Sequence, residues 1–582
     1  MNTIKPLLTI VLFFSLASSS QGQENNSISL PIAGLNNSAI ELRIKTFDSL
    51  YAKNDPKIAG GFGFAIIDNG MVICKKAYGF ADVENSVPFT TSTICDFASI
   101  SKQFTGFAFA RLISDGILSL DDDIRKYLPE MPDYGVKITV GQLLGHTSGI
   151  RDFVPLLKLS GHHDGDVISD EYLMKLIFNQ KSLNFNPGDQ HLYSNSGYFL
   201  LAHILSKASG AYFPDWIQQN ILIPLGMEST RYLKNPGEII ESRASCYIRN
   251  SDGVYQNIPD NLSAAGSSSL FSSLDDMTKW AMNLITQNIG GREIFGIMTE
   301  PAQLNNGERI AYNFGLETGL WNGHKYLRHG GSWAGFLSDI ICFPEEKAGI
   351  ILISNRDPLE AQVTNPFLEA LFNIDAETGL ESGIPINADK PKMSVKKEIL
   401  DTYTGEYVNK INEGNYIYQF AKVRRTPENL IFHTSRARNN RLYAETERKF
   451  FIVGADNKYE FQCDEKGEST KVIANLEGKE YIFTRIYPLI RNKTEVGELL
   501  GEYYSEELNT TYFIRITDNQ LMSQSLLNED VILSWVEPNI YVSNKYWFRE
   551  VAFTRGENGR IEGFNLQTDN GNITKTLFFM KK

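Results

Sequence analysis

The sequence predicts an α+β domain, an antiparallel sheet flanked by helices with a helical subdomain, followed by two small antiparallel β-barrels. Three observations predict it. Near the amino end, apolar runs from Gly63 to Ile67 and from Val72 to Gly79 meet through Asp68-Asn69-Gly70, a hairpin signal. A second hairpin, Leu337 to Phe343 and Gly349 to Ser354 around Pro344-Glu345-Glu346-Lys347, closes the same region, and apolar residues at helical spacing fill the interval. One sheet built from both ends, with a helical insertion, fits this order. Beyond Lys397 the pattern changes to short alternating strands with Gly and Asn turns, and the segment repeats. Gly405-Glu406-Tyr407 answers Gly501-Glu502-Tyr503, and Phe461, Gly467 and Phe483 answer Phe553, Gly559 and Phe578.

The 582 residues leave room for several domains. They divide into a leader at 1–22, a catalytic domain at 38–375, a linker at 376–397 rich in Gly, Pro and charge, and barrels at 398–490 and 494–582. The leader has Lys5, an apolar run from Leu7 to Ala17 and a small, polar end at Ser20-Gln21-Gly22, the pattern of a secretory signal. A periplasmic or secreted location is therefore expected. No later segment reaches the ~18 apolar residues that a membrane span needs. A formal charge of −13 excludes nucleic acid as the main partner, because phosphate binding needs concentrated Lys and Arg. The five cysteines, Cys74, Cys95, Cys246, Cys342 and Cys463, are widely spaced in mostly apolar surroundings and read as buried free thiols, with one disulfide as the alternative. Neither CxxC nor HExxH occurs, His162-His163-Asp164 reads as a solvated loop, and no metal or cofactor is called for.

Taken in order, Ala39 to Tyr51 has the spaced apolar residues of an amphipathic helix. Phe97-Ala98-Ser99-Ile100-Ser101-Lys102 opens a largely apolar helix that runs to Ile113 and stops at Asp115-Gly116. Ile138 to Leu144 is a helix closed by Gly145-His146-Thr147-Ser148-Gly149, with His146 read as holding the turn. Tyr193-Ser194-Asn195 lies in a loop that feeds a helix ending at Gly210. Ser273 before Leu274-Asp275-Asp276 is a helix cap. His329-Gly330-Gly331-Ser332 lies on a strand edge, and Gln362 to Phe372 forms the last helix of the domain.

Ser99 and Lys102, three residues apart at a helix start, would share one face. A serine hydroxyl is a poor nucleophile near neutral pH, and an amine in a partly dry site can take or relay its proton. Backbone N–H groups at a helix start also favour negative charge on the attacked group. Ser394 and Lys397 share the spacing but lie in a polar stretch that reads as solvated linker. A lysine on a buried helix is different, since desolvating an ammonium lowers its pKa or costs several kcal/mol.

The Ser99/Lys102 pair, the Tyr193-Ser194-Asn195 loop and His329-Gly330-Gly331 stand in an order that resembles the serine β-lactamase and penicillin-binding-protein superfamily, closest to its class C-like branch of peptidases and esterases. Flanking residues add to the match: Phe97-Ala98, Gly116-Ile117-Leu118-Ser119-Leu120-Asp121-Asp122 and Leu144-Gly145-His146-Thr147-Ser148-Gly149. The resemblance covers about residues 38–375. Two β-domains behind it, lipocalin-like in form, look like the organisation of D-aminopeptidases. The resemblance implies Ser99 as nucleophile, Lys102 and Tyr193 as proton relay, Asn195 as a substrate or relay contact, and the N–H groups of Ser99 and Ser332 as oxyanion donors. With a reference pKa of ~10, Tyr193 can act as a base only beside a cation such as Lys102. Gly330 and Gly331 let backbone approach the substrate.

Penicillin-recognising members carry Lys-Thr-Gly where this chain has His329-Gly330-Gly331, so a substrate carboxylate loses a cation and a hydroxyl. Hydrolysis of an amide or ester lacking that carboxylate, such as a D-residue peptide, is expected ahead of β-lactamase or D-Ala-D-Ala carboxypeptidase activity. A catalytically silent protein that binds peptides or peptidoglycan fragments is the reading from another class. No Gly-x-Ser-x-Gly elbow offers a rival nucleophile. The barrels read as structural or dimerising modules, a homo-oligomer being open, or as the source of a loop that restricts substrate size.

Overall fold

The computed structural model describes residues 60–250, 254–357 and 364–372, part of 40–48, and most of 390–582. The leader at 1–22 and residues 376–389 of the expected linker lie outside the described residues. So does most of the helix expected over Ala39 to Tyr51.

The catalytic domain is built on strands β1 (Gly61–Asp68), β2 (Met71–Asp82), β3 (Val87–Pro88), β4 (Tyr312–Asn313), β5 (Leu316–Trp321), β6 (His324–Trp333), β7 (Phe336–Phe343) and β8 (Ala348–Ser354). They lie in the order β4-β5-β6-β7-β8-β1-β2-β3. The β1–β2 turn works because Asn69 and Gly70 accept left-handed backbone, with φ of 50° and 73°. β1 pairs antiparallel with β8 from Phe62↔Ser354 to Ile67↔Gly349, which joins the two ends of the domain. The near-continuous apolar run of β1 follows from burial on both faces. Ala65 and Ile67 face the helical core, while Phe62, Phe64 and Ile66 face Phe367 and Leu368 of the helix Thr364–Leu371.

Between β3 and β4 the helices that bear on the site are α1 (Ser101–Ser114), α2 (Val140–Leu144), α3 (Phe153–Leu159), α4 (Asn195–Ser209) and α5 (Leu274–Thr286), with others such as Asp170–Phe178 and Gly291–Met298 beside them. Thr139 forms a capping box with Gln142 at α2, and Ser273 caps α5. On α1 everything except Arg111, Ile113 and Ser114 is buried, and Phe104 stacks on Trp280 of α5 at 4.2 Å. The turn Phe314–Gly315 presses directly on this helix. A Cβ at Gly106 would lie 1.8 Å from the Phe314 carbonyl oxygen, and one at Gly315 would lie 2.3 Å from the Lys102 carbonyl. These two glycines fix the depth of Lys102 beneath the sheet.

Two closed eight-stranded antiparallel barrels follow, from Gly405–Lys410 to Lys479–Ile486 and from Gly501–Ser505 to Leu577–Lys581. A helix, Lys397–Tyr403, begins at the last residue of the expected linker and sends Leu400 and Tyr403 into the first barrel's core. The repeat read from the sequence has a physical meaning. Tyr407 and Tyr503 each donate a hydrogen bond to the carbonyl four residues back, on Tyr403 and Leu499, both at 2.7 Å. One pairing of the repeat needs correction. Phe461, Val472 and Phe483 lie across three adjacent strands, and their counterparts are Phe553, Phe564 and Phe579. Phe579 is buried, and Phe578, read as the match, points outward, because a slip of one residue reverses the face.

The second barrel docks on the helical subdomain. Arg151, fully buried, is 2.6 Å from Glu507, Tyr512 donates to the Leu159 carbonyl at 3.0 Å, and Asn528 donates to that of Lys158 at 2.8 Å. The barrels meet through Val408, Tyr418, Phe420, Ile486 and Val542, with the Arg549 guanidinium 4.7 Å from the Phe420 ring. No described helix is long and apolar enough to cross a membrane.

Candidate active site

Ser99 sits in a single 3-10 turn, Ala98–Ile100, that runs into α1. Ala98 has φ of 47°, a left-handed conformation rare for a residue with a side chain, and its N–H donates to Asp96 at 2.7 Å. The turn leaves Ser99 half-buried among buried neighbours. One turn along, the Lys102 amine lies 3.0 Å from Ser99 Oγ, 2.8 Å from Asn195 Oδ1 and 2.7 Å from the Ser267 carbonyl. Its three donor directions are thereby filled. Burial pushes the Lys102 pKa down to about 7, against the opposing pull of the Asp152 charge. By contrast Ser394 and Lys397, the other pair at this spacing, are both exposed.

Tyr193 lies beside the pair, its ring centroid 4.8 Å from Lys102 Nζ and its hydroxyl in hydrogen-bonding range of Ser99. Burial drives its pKa well above 10, so its phenol keeps its proton. That changes the expected division of labour. Lys102 is the group whose neutral form is accessible near pH 7, and Tyr193 is suited to pass a proton on. Asn195 opens α4, with Ser194 as its cap, and its amide nitrogen donates to Asp152 at 3.0 Å. Asp152 went unnoticed in the sequence. Buried, its carboxyl is pushed up to about 6, and it also caps α3 through Val154 N–H. Lys102, Asn195 and Asp152 thus form one chain. Only a Ser/Asp-type cap before an apolar run could have pointed to Asp152.

β5 pairs with β6 only as far as Arg328, so the Gly330 to Trp333 edge is open towards the Ser99 turn. Gly331 is there for space. A Cβ would lie 2.3 Å from Ser338 Oγ, 2.4 Å from the Phe97 carbonyl and 3.2 Å from Ser99 N. Ser338, opposite Gly331 on β7, donates to Phe97 O at 2.8 Å and so ties the Ser99 turn to the sheet. Gly330 has no such neighbour and faces outward with Ser332.

His329, expected from the resemblance among the substrate-binding residues with Asn195, Gly330, Gly331 and Ser332, is held by partners inside the protein. It is buried, with Nδ1 2.6 Å from the Gly330 carbonyl and Nε2 2.9 Å from the Tyr312 hydroxyl. Nδ1 therefore carries the proton and Nε2 accepts from Tyr312. Burial and the Lys102 charge hold its pKa down to about 3. The ring is neutral and both nitrogens are occupied inside the protein. His146 holds the tyrosine loop: Ser194 N–H donates to its Nδ1 at 3.2 Å, and its ring lies 4.3 Å from that of Tyr193. Beside Ser332 opens a cavity of about 360 Å³ lined by Asp164, Ile248, Arg249, Ile258, Ala334 and Gly335. The loop read as merely solvated therefore contributes a wall. All five cysteines are free thiols.

This fold, with a serine and lysine one helical turn apart beside a glycine-lined sheet edge, is that of the β-lactamase and penicillin-binding-protein superfamily. The chain belongs to the Beta-lactamase family, whose profile matches residues 52–373, more than half of its length. It is 26% identical over 421 residues to penicillin-binding protein 4* of Bacillus subtilis, covering 70% of this chain and 91% of that one. It is 26% identical over 317 residues to a D-aminopeptidase of Gluconobacter oxydans, covering 54% of this chain and 60% of that one. Among solved structures, the octameric penicillin-binding protein homologue of Pyrococcus abyssi has a similar fold, with a TM-score of 0.52 and 23% identity over 76% of this chain and 100% of that one.

Proposed function

We propose that the protein is an exported serine hydrolase that cleaves amide or ester bonds of small substrates, D-residue peptides foremost, through an acyl-enzyme on Ser99. The observation that carries this reading is the 3.0 Å contact between Ser99 Oγ and a Lys102 amine whose pKa lies at about 7. In its neutral form Lys102 takes the hydroxyl proton as Oγ bonds to the carbonyl carbon. The resulting oxyanion is held by Ser99 and Ser332 N–H. As the carbon–nitrogen or carbon–oxygen bond breaks, the proton passes from Lys102, by way of Tyr193, to the leaving group. Water then attacks the ester by the same route in reverse, giving the acid and free Ser99. Two features favour a short peptide over a substrate that needs a fixed cation at the strand edge. His329 is neutral with both nitrogens occupied, and the cavity beside Ser332 carries one charge of each sign, Asp164 and Arg249.

A fluorophosphonate should add one adduct to Ser99 in wild type and none in Ser99→Ala, read by intact mass. A panel of D- and L-aminoacyl anilides, nitrophenyl esters and a cephalosporin should show turnover of the D-anilides and esters above the cephalosporin. Rapid cephalosporin turnover would overturn the substrate class, and absence of any Ser99 adduct would favour a silent binding protein.

A further inference from the structure

Two buried carboxyls stand behind the proposed oxyanion site, each bonded to one of its walls. On the nucleophile side, Asp96 Oδ1 accepts the Ala98 N–H at 2.7 Å and so secures the left-handed residue immediately before Ser99. Its Oδ2 is 3.5 Å from Ser268 Oγ, next to the Ser267 carbonyl that receives Lys102. On the strand side, Asp260 Oδ1 accepts the Trp333 indole N–H at 3.1 Å, one residue beyond Ser332. Its Oδ2 is buried and makes no hydrogen bond to a donor, the nearest cation being Arg243 at 3.7 Å. The two carboxyls face each other, and their side chains are almost wholly buried.

We propose that Asp96 and Asp260 are positioning residues, an acid–carboxylate pair sharing one proton, that hold the two walls of the oxyanion site at a fixed spacing. The proposal rests on the reading of Ser99 and Ser332 as oxyanion donors. Two carboxylates in contact away from water cannot both stay charged, so one must donate to the other. That donor supplies the partner that Asp260 Oδ2 lacks. Burial raises both groups above the usual carboxylate range, which favours retention of a proton in the pair. The charged or titratable groups facing the pair are Arg243, Lys102, Cys95, Cys246 and Tyr232. Among them Arg243 balances the remaining charge. Neither aspartate touches the reacting atoms in this account. They act through Ala98 and Trp333.

The test compares Asp96→Asn with Asp96→Ala, and Trp333→Phe as a milder cut of the other wall. Asparagine keeps an acceptor for Ala98 and a donor for Asp260, so Asp96→Asn should label with fluorophosphonate within about 3-fold of wild type. Asp96→Ala should label about 10²-fold more slowly, and on a turned-over substrate lose kcat with little change in KM. Trp333→Phe should fall between them. Equal rates for alanine and wild type, or an asparagine variant as slow as alanine, would overturn the proposal. If Asp96→Ala does not fold, the asparagine and phenylalanine variants decide it alone. Wild type that gives no Ser99 adduct would instead sink the hydrolase reading. The pair would then be read from the Trp333 indole proton by NMR, whose shift should report the Asp260 titration at a clearly lower pH in Asp96→Asn than in wild type. An indole proton that titrates alike in both would overturn the pair.

Discussion

In the proposed mechanism Lys102 sets the pH at which the site works. A lysine whose folded pKa lies at about 7, far below the usual ~10.4, is increasingly neutral as pH rises through 7, so kcat/KM should climb through an acid limb near that value. The same burial is a cost to folding. Between the two pKa values the unfolded chain holds a proton that the folded one has given up, so this contribution destabilises the fold more as pH falls towards 7 and is constant below it. The nearby Asp152 charge favours the protonated amine, and Asp152→Asn removes it. The acid limb in Asp152→Asn should therefore move to lower pH, by roughly one unit, in a profile of kcat/KM from pH 5 to 9. A limb that stays put or moves upward would show that another group controls it. Ser99 and Lys102 were legible because their relation is local, one helical turn. Asp152, Asp96 and Ser338 were not, because each meets the site across 40 to 240 residues of sequence or through a single backbone bond, with no spacing to mark it.

At the scale of elements, the site is the place where a helix start and a strand edge are pressed together without side chains between them. Gly331→Ala tests that contact. The added methyl would meet the Phe97 carbonyl at 2.4 Å and Ser338 Oγ at 2.3 Å, so β6 and the Ser99 turn must part. Fluorophosphonate labelling should slow by about 10²-fold while the thermal midpoint falls only a few degrees. Gly330→Ala, with its nearest neighbour at 3.7 Å, should behave nearly as wild type. Equal effects at the two positions would refute the packing argument. Sequence reading treated both glycines alike, since it sees composition but not which side of a strand meets a neighbour. The same limit produced the Phe578 assignment. Hairpins, by contrast, were legible at both ends of the sheet because short apolar runs around Asp68-Asn69-Gly70 and Pro344-Glu345-Glu346-Lys347 are local signals.

Across the whole molecule, the second barrel is bound to the catalytic domain by a charge that has no access to water. Arg151 shares its guanidinium among Glu507, Gln180 and Ser182, and Glu507 also accepts the Lys181 N–H at 2.7 Å. Breaking a buried ion pair by removing one partner costs about 3–5 kcal/mol, so Glu507→Gln should lower stability by about 3 kcal/mol in denaturant melts. It should do so with the Ser99 adduct still forming below the transition. A loss under 1 kcal/mol would mean that the barrel is only loosely attached. Arg151 stands next to Asp152, so this anchor and the chain Lys102–Asn195–Asp152 are neighbours in sequence as well as in space. Nothing local in the sequence announces such a contact, although the barrels themselves were legible from their repeat.

The pairing of β1 with β8 places partners such as Phe62 and Ser354 side by side across nearly the whole domain. Loop closure of that length must come before the contacts that reward it, which makes the sheet a high-contact-order structure and a slow folder. During synthesis from the amino end, β1 and β2 form a hairpin whose free edge waits for some three hundred further residues before β8 can cover it. Each barrel closes over a much shorter stretch, as Glu406↔Ile486 shows. The Ser99 turn, hung between the early hairpin and the late strands, cannot be completed until those strands have been made. A nascent chain cut off before His324 would have the serine and the lysine but no edge to set them against.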